Sequence, residues 1–425
     1  MSVVEQLLKD IPLPRMVRVQ QHFPQDELSD IEGAIRGELR RHEIIRRVKK
    51  GMRIAIAVGS RGMAEVPRIV RLVVEELKKC GAEPFIVPAM GSHGGATAEG
   101  QKEVLSSLGV TEAGAGCLIR SSMEVVYLGV MDNGLPILMD QEAFSADGIV
   151  LINRVKAHNA FSGPNESGLV KMITIGLGKQ KGADSCHTLG FGHMAQFIVD
   201  MARIKLERVP FLFGLATVEN AYDRIKKIAV IPAENIIETE RHLLVEAKKQ
   251  MPKLLLQPIN VLVVDQMGKE FSGGGIDPYT TGRAPTPYLS VGPDPNKLVV
   301  LDITDKSHGN ACGMSLADIS TRRLFNKINF EYTYANNLTS TVMTGRIPMI
   351  LESDRLAIQG AVKTCNVLDL SRMRMVRIAN SLHVEKIFIS ENMLEEALAH
   401  PDMTVLGDPE DMGFDEKGNL TDIGN

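Results

Sequence analysis

Four of the ten histidines, His93, His158, His187 and His193, lie in or beside glycine-rich stretches that follow apolar runs. Such loops bring backbone close to a ligand and leave an imidazole able to act as an acid, a base or a metal ligand. His93 and His158 end separate expected strands, the arrangement that sets two imidazoles on opposite sides of a substrate. Two opposed bases are what a racemisation needs, because a proton must be exchanged for both enantiomers. His187 and His193 are six residues apart, outside the one-turn spacing of a paired helical metal site, so the signal for a two-histidine site is weak and one of them still reads as a ligand. His22, His42, His242, His383 and His400 sit among polar or helical surroundings and read as structural or solvated.

Two cations and one polar pair join this set. Lys171, in ESGLVKM, has small residues before it and apolar neighbours around it. Pattern alone favours a snorkelling surface lysine, and the alternative is a desolvated amine suited to covalent attachment or anion contact. Arg61, in VGSRGM, ends a strand where a guanidinium can hold a carboxylate or phosphate by two parallel hydrogen bonds. Gln266 and Lys269, in DQMGKEFSGGG, follow the first strand of a second domain and would face an interdomain cleft, where an acid substrate calls for a cation.

The elements that must position these groups follow a strand, loop, helix grammar. RIAIAVGS is a β-branched strand followed by the helical spacing of EVPRIVRLVVEELKKCGA; EPFIVP, the glycine loop and a helix from near Thr97 repeat the pattern; GIVLINRVKAHN is a third strand. Consecutive units of this kind imply a parallel, doubly wound sheet, whose ligands bind outside the carboxyl ends of its strands. A helix from His193 to Lys205, strands FLFGLATV and IAVI and a helix from Glu234 to Gln250 follow. The proline-bracketed MPKLLLQP then reads as a linker, with a boundary near Pro258. Beyond it come strands INVLVVDQM and LVVLDIT, a helix ADISTRRLFNKI, a strand IPMIL, a helix DRLAIQGAVKTC, strands near Met375 and Lys386, and a short helix from Glu391. The expected fold is α/β, with two α/β domains of mainly parallel doubly wound sheets and an interdomain cleft: residues 1–257 for cofactor binding and catalysis, 258–405 closing over the cleft, and an acidic tail, 406–425, packing back on the first domain.

Composition narrows the function classes. With 425 residues, two domains are expected. The net charge of −4 and the lack of a Lys/Arg block with interleaved aromatics argue against nucleic acid as a partner. Five scattered cysteines without a CxxC pair argue against a disulfide framework or structural zinc, and the absence of a long apolar run argues against a membrane span; the expectation is a cytoplasmic protein acting on small molecules. GxGxxG, the P-loop and the GxSxG elbow are all missing, which disfavours a conventional NAD site, a nucleotide phosphate loop and a serine hydrolase.

Taken in order, SRG, GSHGG, KAH…FSG…GLVK, the following histidine and DQMGK resemble the nickel-dependent lactate racemase family of 2-hydroxyacid racemases and epimerases. The resemblance covers most of the chain. It implies an isomerase that inverts C2 by reversible hydride transfer to a nickel-pincer nucleotide, nickel pyridinium-3,5-bisthiocarboxylic acid mononucleotide. It implies His93 and His158 as acid/base groups, Lys171 as the cofactor's anchor with Ser60, Arg61, Ser167 and Gly168 as further contacts, and His187 as the nickel ligand. Arg61, Gln266 and Lys269 would orient the substrate, and cofactor-making proteins would be partners. The run between FSG and LVK is longer than in lactate racemase, which leaves Lys156, Lys179 and Lys181 as alternatives to Lys171. No acidic residue stands among the four before Arg61, so the substrate contacts differ, and GSHGGATAEG is not the lactate enzyme's own sequence, so a larger or sugar acid fits the expectation. Two other classes compete: a divalent-metal hydrolase or lyase using His187, His193 and an acid such as Asp184, and a carrier or sensor that only binds the nucleotide.

Overall fold

A computed structural model describes residues 2–338 and 340–423. In chain order the strands are β1 (Met16–Gln21), β2 (Arg53–Val58), β3 (Glu83–Pro88), β4 (Val125–Val130), β5 (Pro136–Asp140), β6 (Gly148–Arg154), β7 (Phe211–Glu219), β8 (Ile225–Pro232), β9 (Val261–Met267), β10 (Lys297–Ile303), β11 (Ile319–Thr321), β12 (Met349–Leu351), β13 (Met375–Ile378), β14 (Lys386–Ser390) and β15 (Met403–Val405). The chain forms two units, Pro24–Met251 and Met1–Phe23 with Pro252–Asn425.

The first unit is built on a sheet of order β3-β2-β6-β7-β8, parallel except for the antiparallel pair β7 and β8. Its central strands are apolar on both faces, as a sheet covered by helices on both sides requires. The helix Val66–Lys79 buries Ile69, Val70, Val73 and Leu77, spaced three and four apart, against one face; each such side chain contributes roughly 1.5–3 kcal/mol by leaving water. The helices Met194–Arg208 and Ile236–Gln250 supply Phe197, Ile198, Leu243 and Leu244 to the other. The helix Ala98–Ser107 is capped by Thr97, which accepts from the Gly100 N–H. β4 and β5 form a separate hairpin that the periodicity does not announce.

The second unit carries a sheet of order β12-β11-β10-β9-β13-β14-β1-β15. The strands β9 to β13 are parallel and β14, β1 and β15 antiparallel. The α/β class and the mostly parallel sheets are as expected from the strand and helix grammar.

Three expectations differ from what is observed. The boundary expected near Pro258 falls at Met251/Pro252, and the first 23 residues join the C-terminal half because β1 inserts between β14 and β15. The tail follows β1 rather than packing on the first unit: Glu410 pairs with Met16, the Leu420 N–H donates to Asp354 at 2.8 Å, and Asp422 pairs with Arg377 at 3.0 Å. The run ADISTRRLFNKI is not one helix. Ile319–Thr321 is β11, buried beside β10, and only Arg322–Asn326 is helical, starting where the Thr321 hydroxyl caps Leu324.

Candidate active site

The site is built from the loops at the carboxyl ends of β2, β3 and β6, all in the first unit. β6 ends at Arg154, and the chain then makes a closed loop. Lys156 and Ser167 exchange backbone hydrogen bonds of 2.8 and 3.1 Å, which shut the base of the loop that carries His158. The longer run, Pro164 to Ser167, is therefore folded onto the loop itself. Glu166, buried, accepts from the His158 N–H at 2.7 Å and the Gly163 N–H at 3.0 Å, and pairs with Lys248 at 2.6 Å. Asn165, also buried, donates to the Ile237 carbonyl at 3.0 Å.

This closure brings Lys171 back to His158, with Nζ 2.9 Å from Nε2. Lys171 ends the short helix Leu169–Lys171, whose first N–H groups point at the buried Glu240 carboxylate; the Val170 N–H reaches it at 3.0 Å. Asn153, at the end of β6, donates to the Gly168 carbonyl at 2.8 Å. A side chain at position 168 would meet the Glu240 carboxylate at 2.4 Å, so only glycine lets the carboxylate approach. The chain then makes a π-turn, Met172–Gly176, and the carbonyls of Ile173 and Thr174 are met by the buried Lys205 ammonium at 2.9 and 3.0 Å. Such turns free carbonyls from the helical ladder, and a buried cation satisfies them.

Hydrogen-bond roles set the tautomers. His158 Nδ1 accepts from the Ala160 N–H at 3.1 Å, so the ring proton of the neutral imidazole sits on Nε2 and is donated to Lys171 Nζ. That bond requires the amine in its neutral form. Burial, then the charges of Arg61 and Lys156, push Lys171 down to about 8, which enlarges the share of that neutral form at neutral pH without making it the majority. Burial, followed by Lys171, His187, Lys156 and Arg61, holds His158 well below the usual histidine value. His187 ends the helix Lys179–His187 and donates from Nδ1 to the Ala183 carbonyl at 2.7 Å, since a carbonyl can only accept. Its Nε2 is left with the lone pair, the form that binds a metal. Phe191 lies between the two histidines, its centroid 6.3 Å from His158 and 5.4 Å from His187, and Phe161 stacks on His158 at 4.3 Å.

His93 follows β3 and is exposed, with Nδ1 hydrogen-bonded to the Ser60 hydroxyl that follows β2. Arg61 is exposed beside it in sequence, and the Ala64 N–H after it is held by Glu219 at 2.8 Å, the carboxylate that also pairs with Arg154. The structure thus joins Ser60 to His93 and Lys171 to His158, with Gly168 and Ser167 directly in the loop that closes on Lys171. Among the alternative lysines, Lys179 is fully buried and Lys181 is exposed. His193 is exposed at the start of the helix Met194–Arg208, its ring over Phe197 at 5.6 Å. Gln266 and Lys269 belong to the second unit, where Lys269 Nζ donates to the Gly273 carbonyl at 2.8 Å and to Asn336 at 2.5 Å. Sequence reasoning missed Glu166, Glu240 and Lys205. Their signal is present only as charged residues in otherwise apolar or looping runs, and burial is what gives them meaning.

Among the described residues no group of three His, Cys, Asp or Glu side chains could hold a metal ion. No helix among the described residues is long and apolar enough to cross a membrane.

Fold and site define an α/β protein whose first unit gathers a histidine and a buried lysine of lowered basicity beside an imidazole with a free ring nitrogen. Residues 5–198, a little under half of the chain, match the family model described as the lactate racemase N-terminal domain. Two solved structures are similar in part. A protein from Thermotoga maritima shares 16% identity over 65% of this chain and 71% of its own, with a TM-score of 0.46. The lactate racemase apoprotein from Thermoanaerobacterium thermosaccharolyticum shares 12% over 82% of this chain and 91% of its own, also at 0.46. No curated protein matches.

Proposed function

We propose that the protein is a racemase or epimerase of a 2-hydroxy acid that works with a nickel-pincer nucleotide. The observation that carries this reading is the contact of Lys171 with His158, beside His187 in its metal-binding tautomer, within the residues that match the lactate racemase N-terminal domain. The residues fit such a group: Lys171, whose lowered basicity enlarges its neutral, nucleophilic fraction, would hold it covalently, and His187 Nε2 would supply one metal donor. When bound, the group would supply a reversible hydride acceptor for C2.

The chain's residues do the proton work. A histidine takes the substrate hydroxyl proton as C2 is oxidised to a keto carbon and gives it back when C2 is reduced, so His93 and His158 serve opposite enantiomers. His158 Nε2 faces Lys171 here, so its role as a base requires the amine to be engaged by another group. Arg61 supplies a cation for the substrate carboxylate or the cofactor phosphate. The family's cofactor-making proteins would be its partners.

The test is to co-express the chain with the cofactor-making enzymes, measure nickel by mass spectrometry, and screen single-enantiomer 2-hydroxy acids for inversion. Nickel near one per chain, lost in Lys171→Ala and His187→Ala, is the expected result. Full nickel in both variants, or activity restored by zinc or manganese alone, would overturn it.

A further inference from the structure

Among the buried ionisable groups that the proposed mechanism does not use, one lies beneath the His93 loop. Lys179 is fully buried at the start of the helix Lys179–His187, at a φ of 55°, a left-handed conformation that a lysine rarely adopts. Both features are unfavourable alone, since a buried ammonium and a strained backbone each need compensation. The compensation lies under the His93 loop. Lys179 Nζ donates to the Pro88 carbonyl at the end of β3 at 3.0 Å and to Gln101 Oε1 at 2.5 Å, with Asp140 Oδ2 at 3.3 Å as counter-ion. Gln101, equally buried, turns its Nε2 to the Gly91 carbonyl at 2.9 Å and the His93 carbonyl at 3.2 Å. The Gly91 N–H in turn donates to Gly176 at 3.1 Å, the end of the π-turn that begins after Lys171.

We propose that Lys179, acting through Gln101, is a positioning residue for His93. The cation fixes which end of the Gln101 amide is the acceptor, and the other end must then donate to the two loop carbonyls. Without the cation the amide has no reason to keep that orientation, and the loop between β3 and the helix Ala98–Ser107 loses the bonds that set the His93 backbone. The inference rests on His93 being a proton-transfer group, and it explains why this lysine is buried rather than available as an anchor.

Two variants test it. Lys179→Met removes the cation. Gln101→Glu keeps an acceptor for Lys179 but places an acceptor where Gln101 donates to Gly91 and His93, which separates loop positioning from core stability. In the apoprotein, the imidazole nitrogen signals of His93 are expected to shift and lose the Ser60 bond in Gln101→Glu, with those of His158 unchanged. In the nickel-loaded protein, single-turnover formation of 2-keto acid is expected to slow about ten- to hundredfold from the enantiomer that uses His93 and within twofold from the other. Equal slowing from both enantiomers, movement of both rings together, or a lowered melting temperature with neither ring changed would overturn the proposal. Should Lys179→Met fail to fold, Gln101→Glu decides. Should the wild type invert no 2-hydroxy acid, the functional reading falls, while the apoprotein ring signals still decide whether Lys179 and Gln101 position His93.

Discussion

Lys171 can be tested without any cofactor, through the acidity of its amine. Burial and the neighbouring charges of Arg61 and Lys156 bring it down to about 8, and His158 accepts no proton from it because the imidazole is itself the donor. At pH 7, an amine of that acidity is neutral in about one molecule in ten, against about one in 3,000 for an ordinary lysine near 10.5. The neutral form is the nucleophile, so the reactive population is larger by roughly 300-fold. The assay is competitive acetylation of the apoprotein at a series of pH values from 6 to 10, read by peptide mapping. The Lys171 labelling midpoint is expected near 8 and is expected to rise in Arg61→Met, which removes the larger of the two charges that disfavour protonation. Labelling of Lys171 that tracks ordinary surface lysines, or that ignores the loss of Arg61, would refute the argument.

Three further outcomes follow from the same surroundings. Glu240 is fully buried and pushed up to about 7 by burial, so the folded state holds its proton where the unfolded chain, near 4.5, has released it; stability falls as pH rises from about 4.5 through 7, by about 3 kcal/mol. Glu240→Gln should remove that slope in urea unfolding at pH 5 and pH 8, and an unchanged slope would clear Glu240 of it. Gly94 has φ 67°, and a side chain there would meet the Gly100 and Gln101 backbone at 2.6 Å, so Gly94→Ala should lower stability by about 1–3 kcal/mol in chemical denaturation. Glu166→Ala removes the acceptor for the His158 and Gly163 N–H groups and leaves Lys248 without its carboxylate partner; hydrogen exchange of the loop from 157 to 167 should quicken at least tenfold, with β6 unaffected.

The parts that the sequence makes legible are those with local causes. The strand Arg53–Val58, the helix Val66–Lys79 and the glycine loop around His93 announce themselves by β-branched runs, three-four spacing and turn residues. β1 does not, because its partners β14 and β15 lie more than 360 residues away and its place in the sheet is a long-range fact. β11 is hidden because three residues are too few to show alternation, and the following Arg322–Asn326 extends a helical impression backwards. The site divides in the same way. His93, His158 and His187 are visible as imidazoles beside glycines, whereas their tautomers depend on the Ala160 N–H and the Ala183 carbonyl, which no side-chain pattern reveals. Lys179 illustrates the limit best: by composition it belongs on a surface, and only the convergence of Pro88, Gln101 and Asp140 on one point puts it inside.

The backbone bridge between Lys156 and Ser167 has a consequence for how this loop can change over time. His158 lies two residues inside one end of this closed base and Lys171 four residues beyond the other, so residues can be inserted or deleted at the loop's tip without altering where the two ends leave. The loop is therefore a place where lineages can vary length and shape at the mouth of the site while the two reacting groups stay in register.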